Sequence, residues 1–130
     1  MMNRLLLGLM LLMTATAASA EWTLADTSDD FILYVDRAAI RRNGDLVKMW
    51  DLADFKTVQT VSGESYLSYK HQSEYDCKGE KAQLLAYIMF GGQMGSGKVV
   101  YSNGDVKLGW RPIPPGSVGE ILWKIACGKK

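Results

Sequence analysis

The chain contains only two cysteines, Cys77 and Cys127, so a single intramolecular pairing is available. Residues 1–20 have the layout of a cleavable secretion signal, with a charge at Arg4, an apolar run and an Ala-Ser-Ala sequence ending at Ala20. Because cysteines in exported proteins are normally oxidised, we expect a structural disulfide between Cys77 and Cys127. Closing a loop of about 50 residues stabilises a fold by ~4 kcal/mol in the chain-entropy description.

The amino-terminal segment predicts export without an anchor. Its apolar run, residues 5–13, is shorter than the ~20 residues that a spanning helix needs. No cysteine stands at the cleavage point, so no lipid anchor is expected. We therefore predict a signal peptide over residues 1–20, cleaved after Ala20, and one domain over residues 21–130 in the periplasm, at the cell surface or secreted.

The charge balance argues against a nucleic-acid partner. The sequence has 15 Lys and Arg against 14 Asp and Glu, and loss of Arg4 with the signal leaves 14 of each. A domain with no net charge lacks the one-sided field that collects nucleic acid or anionic membrane. We expect neither partner.

Strand signals dominate the predicted domain. The segments rich in aromatic and β-branched residues, bounded by turn residues, are 31–36, 45–55, 57–61, 66–77, 81–90, 99–102 and 106–110. Asn43-Gly44 and Asn103-Gly104 predict hairpin turns, since both residue types tolerate positive φ. Residues 37–42 predict a short helical turn. Both faces of 81–90 are largely apolar, which is typical of a central strand covered on two sides.

One helix is predicted at the carboxyl end. Ser117 and Glu120 have capping-box spacing, and Gly128 occupies the position of a C-terminal cap. Trp123 falls on the polar side of the pattern, whose apolar side comprises Val118, Ile121, Leu122, Ile125 and Ala126. We predict an α+β fold with a single small antiparallel sheet of five or six strands and a C-terminal helix linked to it by the disulfide.

Three groups of residues have features in common with catalytic or cofactor-binding sites. Residues 92–98 nearly spell a phosphate-binding loop, but Val99 lacks the hydroxyl that would bind magnesium, and a strand pattern follows instead of a helix. A flexible glycine turn fits better. His71 is the only histidine, so we expect a solvated surface residue and no metal site. Asp29, Asp30, Asp51 and Asp54 fit turns and solvated strand faces better than acid–base pairs.

These patterns predict a protein with no catalytic residues, no cofactor and no metal, and therefore not an enzyme. A deep cleft with two titratable groups within hydrogen-bond reach would reopen the enzymatic interpretation. Among the aromatic residues, we expect Trp50 and Trp110 to pack in the core. Tyr66, Tyr69 and Lys70 lie on a polar segment, where exposed aromatic side chains favour a protein-binding surface, with ordinary packing as the alternative.

An ordered set of landmarks resembles the bacterial surface-adhesin protein E family over about residues 31–127. The landmarks are Tyr34-Val35-Asp36 with Ile40, Val47-Lys48-Met49-Trp50, Glu74-Tyr75-Asp76-Cys77, the glycine loop through Gly97, and Pro114-Pro115-Gly116-Ser117 leading to Ile125-Ala126-Cys127. The resemblance implies a small antiparallel sheet with a disulfide-linked helix. It also implies binding of host extracellular-matrix or serum proteins such as laminin and vitronectin, and pairing of two copies as a homodimer.

The chain departs from the family where its members are strongly basic. Residues 63–76 contain only Lys70 as a cation, with His71 beside it, and the stretch after the glycine loop retains Lys98 and Lys107. Two hypotheses follow. The first is an exported, non-enzymatic binding module that binds host proteins as an adhesin. The second is a soluble periplasmic accessory or stress protein that acts on a bacterial partner.

Overall fold

The computed structural model describes residues 20–130, so the predicted signal peptide lies, apart from Ala20, outside the described residues. Two short 3-10 turns occur at Arg37–Ala39 and Gln93–Gly95. Eight strands and one helix make up the regular structure of this part of the chain: β1 (Trp22–Thr27), β2 (Phe31–Asp36), β3 (Arg41–Asn43), β4 (Leu46–Val61), β5 (Glu64–Asp76), β6 (Lys81–Phe90), β7 (Val99–Asn103), β8 (Arg111–Pro112) and α1 (Val118–Cys127).

All eight strands form one sheet, in which every pairing is antiparallel. The order is β1-β2-β4-β5-β6-β7, with β3 paired to β4 and β8 paired to β6. The predicted α+β class, with one antiparallel sheet and a terminal helix, is confirmed. The predicted count of five or six strands is wrong, because the sheet has eight.

Short peripheral strands explain the difference in number. β3 has three residues and β8 has two, and β1 is an edge strand whose register with β2 shifts between Leu24 and Asp26. Pairing with a longer neighbour, rather than local propensity, holds such segments. Residues 106–110, in contrast, form no strand: Val106 N–H donates to Leu85 O at 2.9 Å, and Gly109 then adopts a φ of +77°.

Helix α1 packs on one side of the sheet, which we call the helix side; the opposite side is called the open side. Residues of β4 alternate between them, because successive strand residues point to opposite faces. The main core lies on the helix side and consists of Leu33, Val35, Val47, Met49, Ala53, Tyr75, Leu122, Trp123, Ala126 and Cys127.

The helix ends agree with the prediction, whereas the position of Trp123 does not. Ser117 Oγ accepts from Glu120 N–H at 3.2 Å, and Gly128 adopts the left-handed conformation, with a φ of +65°. Trp123, expected on the polar side, is buried at 8% exposure, and its indole Nε1–H donates to Asp76 O at 2.8 Å. Cys127 lies one turn further along the same side of the helix, so the disulfide and the Trp123 hydrogen bond both face the sheet.

The predicted disulfide is present. Cys77, just after β5, is bonded to Cys127 in the last turn of α1, with their Cα atoms 5.5 Å apart. The bond therefore links the terminal helix to the middle of the chain. Among residues 20–130, no helix has the length and apolar character needed to cross a membrane.

Candidate binding surface

The three residues predicted to bind a partner all lie on β5, but they do not face the same side. Tyr69 and Lys70 are consecutive strand residues and therefore point to opposite faces. Tyr66 and Tyr69 both pack against Phe55, with ring centroids 5.8 and 5.6 Å apart. Lys70 lies on the open side, opposite Leu52 and Ile88 in the register. The structure thus groups the two tyrosines and separates Lys70 from them.

Tyr66 and Tyr69 belong to a continuous line of half-buried aromatic rings. Phe31 packs against Phe55, Tyr69 stacks on His71 with centroids 3.9 Å apart, and His71 meets the edge of Tyr87 at 6.5 Å. Register puts these rings side by side, since Phe31 pairs with Phe55 and His71 with Tyr87. No local sequence pattern shows such a line, because all of its contacts except Tyr69–His71 join rings from different strands.

The helix leaves part of this side uncovered. Helix α1 makes its main contacts with β1, β4 and β5. Register then places Tyr69, Met89 and Tyr101 in one row across β5, β6 and β7. Tyr101 is 39% exposed, and Tyr69 and Met89 are half-buried. We call the uncovered area the tyrosine surface: Tyr66, Tyr69, Tyr87, Met89 and Tyr101.

A buried acid and a histidine lie beneath the tyrosine surface. Asp51, expected on a solvated strand face, is 3% exposed because its side chain faces the helix side beside Met49 and Ala53. It is paired in register with His71, which is half-buried rather than solvated. Burial raises the pKa of Asp51 to about 7 and lowers the pKa of His71 to about 4. Both side chains are therefore uncharged in mildly acidic solution.

The tyrosines around this pair are also perturbed. Burial, followed by the charge of Asp51, raises the pKa of Tyr69 to about 12 and that of Tyr75 further still. Both hydroxyls remain protonated at neutral pH. Asp54 faces the opposite side from Asp51, so these two carboxyls do not meet as a pair. Within residues 20–130, no three metal-ligating side chains converge.

The open side is covered only in part, and a cleft lies on it. Lys70 Nζ lies 5.6 Å from the ring centroid of Trp22 and 5.2 Å from that of Phe90. Trp50 is half-buried on this side, where no second layer covers it, and Trp110 is 40% exposed, so neither is the core residue expected. The cleft has a volume of about 310 Å³ and is lined by Ala20, Trp22, Asp36, Ala39, Trp50, Lys70 and Ile88.

The glycine loop after β6 folds over the open side. Ser68 Oγ donates to Gly92 O at 2.6 Å and accepts from Gly95 N–H at 2.9 Å. Asp54 Oδ1 accepts from Met94 N–H at 2.9 Å. The loop is thus tied to β4 and β5, and it leads into strand β7 rather than into the helix that a phosphate-binding loop precedes.

Comparisons with known proteins agree with this architecture. A family model described as surface-adhesin protein E matches residues 22–128. Crystal form II of Haemophilus influenzae protein E is similar, with a TM-score of 0.62 and 14% identity, covering 85% of this chain and 97% of that one. The crystal structure of protein E from non-typeable Haemophilus influenzae gives a TM-score of 0.57 at 11% identity, covering 85% and 86%. These likenesses establish the fold alone. Among curated proteins, none matches.

Proposed function

The chain belongs to the surface-adhesin protein E family, and on that premise we propose that it is an exported, adhesin-like protein that binds other proteins and catalyses no reaction. The proposed domain spans residues 21–130 and follows a signal peptide cleaved after Ala20. We propose the cell surface as its location, in keeping with the description of the family.

The tyrosine surface is the observation that carries this proposal. Tyrosine and methionine side chains are enriched at protein interfaces, where they contribute a large apolar area together with a hydrogen-bonding tip. Here Tyr101 and Met89 extend the row that begins at Tyr69, beyond the area that α1 covers. The stacked rings beneath hold the row in a defined conformation. A preformed surface loses little side-chain entropy on binding.

For the partner, we propose a host extracellular-matrix or serum protein, with laminin and vitronectin as the first to test. A periplasmic accessory or stress role on a bacterial partner is the second candidate. It is favoured by the low basic content of residues 63–76, whose one lysine, Lys70, lies on the open side, away from the tyrosines. Pairing of two copies through the tyrosine surface would compete with either partner.

Solid-phase binding tests the proposal. We expect wild-type protein to bind immobilised laminin or vitronectin more strongly than an unrelated periplasmic protein does. Tyr101→Ala should reduce this affinity about tenfold, as truncation of an interface anchor does. Trp110→Ala is the matched control, because Trp110 is 40% exposed and Tyr101 is 39% exposed. Equal losses in both variants, or no binding at all, would reject the adhesin proposal.

Two further measurements separate the candidates. Cleavage by protease added to whole cells would indicate the surface, whereas release by osmotic shock would indicate the periplasm and the accessory role. Size-exclusion chromatography of Tyr101→Ala beside wild type tests pairing. A change from dimer to monomer, with host-protein binding unchanged, would reassign the tyrosine surface to the homodimer.

A further inference from the structure

The cleft on the open side holds two charged side chains that have no partner of opposite charge in the described chain. One is Asp36, at the end of β2, and the other is Lys70, in the middle of β5. Both line the same space, together with Trp50 and Ile88; its volume is about 310 Å³ with Ala20, the last residue of the proposed signal peptide, as part of the wall. That volume lies at the lower end of the range of small-ligand sites.

Asp36 is a buried carboxylate with an unfilled acceptor. It is 6% exposed, and its Oδ1 accepts no hydrogen bond from any residue in 20–130. Buried acceptors in native proteins are nearly always paired, since leaving one unpaired loses its hydration without compensation. Trp22 stands opposite Asp36 in the register. A ligand N–H group entering beside Trp22 would supply the missing donor.

Lys70 presents a cation whose side-chain stem is fixed. A Cβ added to Gly95 would lie 2.7 Å from Lys70 Cε, so the glycine loop lies directly against the stem. The Nζ atom lies near the rings of Trp22 and Phe90, and within residues 20–130 no carboxylate oxygen comes within 4.0 Å of it. Aromatic faces stabilise an ammonium but leave its hydrogen-bond donors free. A ligand carboxylate would complete its coordination.

We propose that this cleft binds a small zwitterion, either a free amino acid or a short peptide. Its amine donates to Asp36, its carboxylate accepts from Lys70, and its apolar side chain packs against Trp50 and Ile88. A purely cationic ligand would be repelled by Lys70, and a purely anionic one by Asp36, so the pair selects molecules with both charges. The site is on the opposite side of the sheet from the tyrosine surface and does not depend on the proposed adhesin role.

Titration of the exported form, residues 21–130, with the dipeptide leucyl-alanine tests this proposal. The readout is the indole N–H signals of Trp22 and Trp50 in a two-dimensional NMR spectrum. We expect saturable shifts, and about tenfold weaker binding of N-acetyl-leucyl-alanine and of leucyl-alanine amide, as loss of a charge-assisted hydrogen bond predicts. Free leucine run in parallel distinguishes an amino-acid site from a peptide site, and a response to either supports the proposal.

Variants then assign each charge. Asp36→Asn should abolish the preference for the free amine, and Lys70→Met should abolish the preference for the free carboxylate. Asp29→Asn and Lys98→Met are exposed charge controls and should leave both preferences unchanged. Equal binding of the capped and uncapped peptides to wild type would overturn the proposal even if a variant failed to fold. Shifts seen only after acetylation of the Glu21 α-amino group would also overturn it, since they would show that the free amino terminus of the chain itself occupies the cleft.

Discussion

The pKa values of Asp51 and His71 are shifted in opposite directions, so their contributions to the pH dependence of stability largely cancel in the wild-type protein. Burial raises the pKa of Asp51 from 3.8 to about 7 and lowers that of His71 from 6.5 to about 4. Between pH 3.8 and about 7, the folded chain keeps a proton on Asp51 that the unfolded chain has lost, so stability falls as pH rises. Over the same range the unfolded chain binds a proton on His71 that the folded chain does not, so stability increases as pH rises. The two slopes oppose each other.

Single substitutions should expose each slope. In Asp51→Asn, His71 is the only member of the pair that still titrates. The free energy of unfolding should therefore increase by up to about 3 kcal/mol from pH 4 to 6.5. In His71→Gln, Asp51 is the member that still titrates, and the free energy of unfolding should decrease by up to about 4 kcal/mol from pH 4 to 7. Urea unfolding at several pH values measures both. Asp29→Asn is the exposed control, and identical pH slopes in all four proteins would contradict the assignment.

Among the secondary-structure elements, the features that sequence patterns predicted correctly are those stabilised by residues close together in the chain. The Ser117 cap and the Gly128 terminus of α1 need only neighbouring residues, and both were predicted. Strand β6 was predicted with its observed bounds, because residues 84–90 form a continuous apolar run and turn residues precede it. The edge strand β1 was missed, since its sequence gives little strand signal without β2 beside it. Pairing partners, not propensity, decide these segments.

The candidate site was predictable only in part. The aromatic character of Tyr66 and Tyr69 was visible in the sequence, but the partners that complete the tyrosine surface arrive through the register of β6 and β7. The sequence of residues 66–77 predicts a polar aromatic strand, and alternation along it puts Tyr69 and Lys70 on different sides. Asp51 was misplaced because a charged residue in a strand normally indicates a solvated face.

One buried hydroxyl makes two of the hydrogen bonds that hold the glycine loop on the sheet. Ser68 is 0% exposed, and its Oγ joins Gly92 O to Gly95 N–H. Ser68→Ala should therefore destabilise the fold by about 1–3 kcal/mol, because it leaves the partly buried Gly95 N–H and Gly92 O unpaired. Hydrogen exchange at the Gly95 amide should accelerate at the same time. Ser65→Ala, at an exposed position on the same strand, is the control, and equal stability of the two variants would contradict this role for Ser68.

Across the whole molecule, the sheet separates two surfaces of different character. The helix side carries the core, the disulfide-linked helix and the tyrosine surface. The open side carries the cleft and is partly covered by the glycine loop and the 3-10 turn at Arg37–Ala39, which contributes Ala39 to the cleft wall. Because different strand residues build each side, a substitution in one surface should leave the other unchanged.

The disulfide acts on the molecule as a whole rather than on the helix alone. The loop closed by Cys77 and Cys127 spans 50 residues and contains β6, β7, β8 and α1. In the unfolded chain this loop restricts conformational freedom, which is worth ~4 kcal/mol in the chain-entropy description. Replacing both cysteines by serine should therefore lower the Tm by on the order of 15–20 °C.

The helix itself should remain docked in that variant below its melting temperature. Leu122, Trp123 and Ala126 stay buried, and the Trp123 indole still donates to Asp76 O, independently of the sulfur atoms. Two measurements on this variant, its Tm and the protection of the Trp123 indole N–H from hydrogen exchange, distinguish an effect on the unfolded chain from an effect on helix docking. A lower Tm with the indole protected supports an unfolded-state effect. Loss of protection at low temperature would mean that the bond holds the helix in place, and an unchanged Tm would show that the loop restriction contributes nothing.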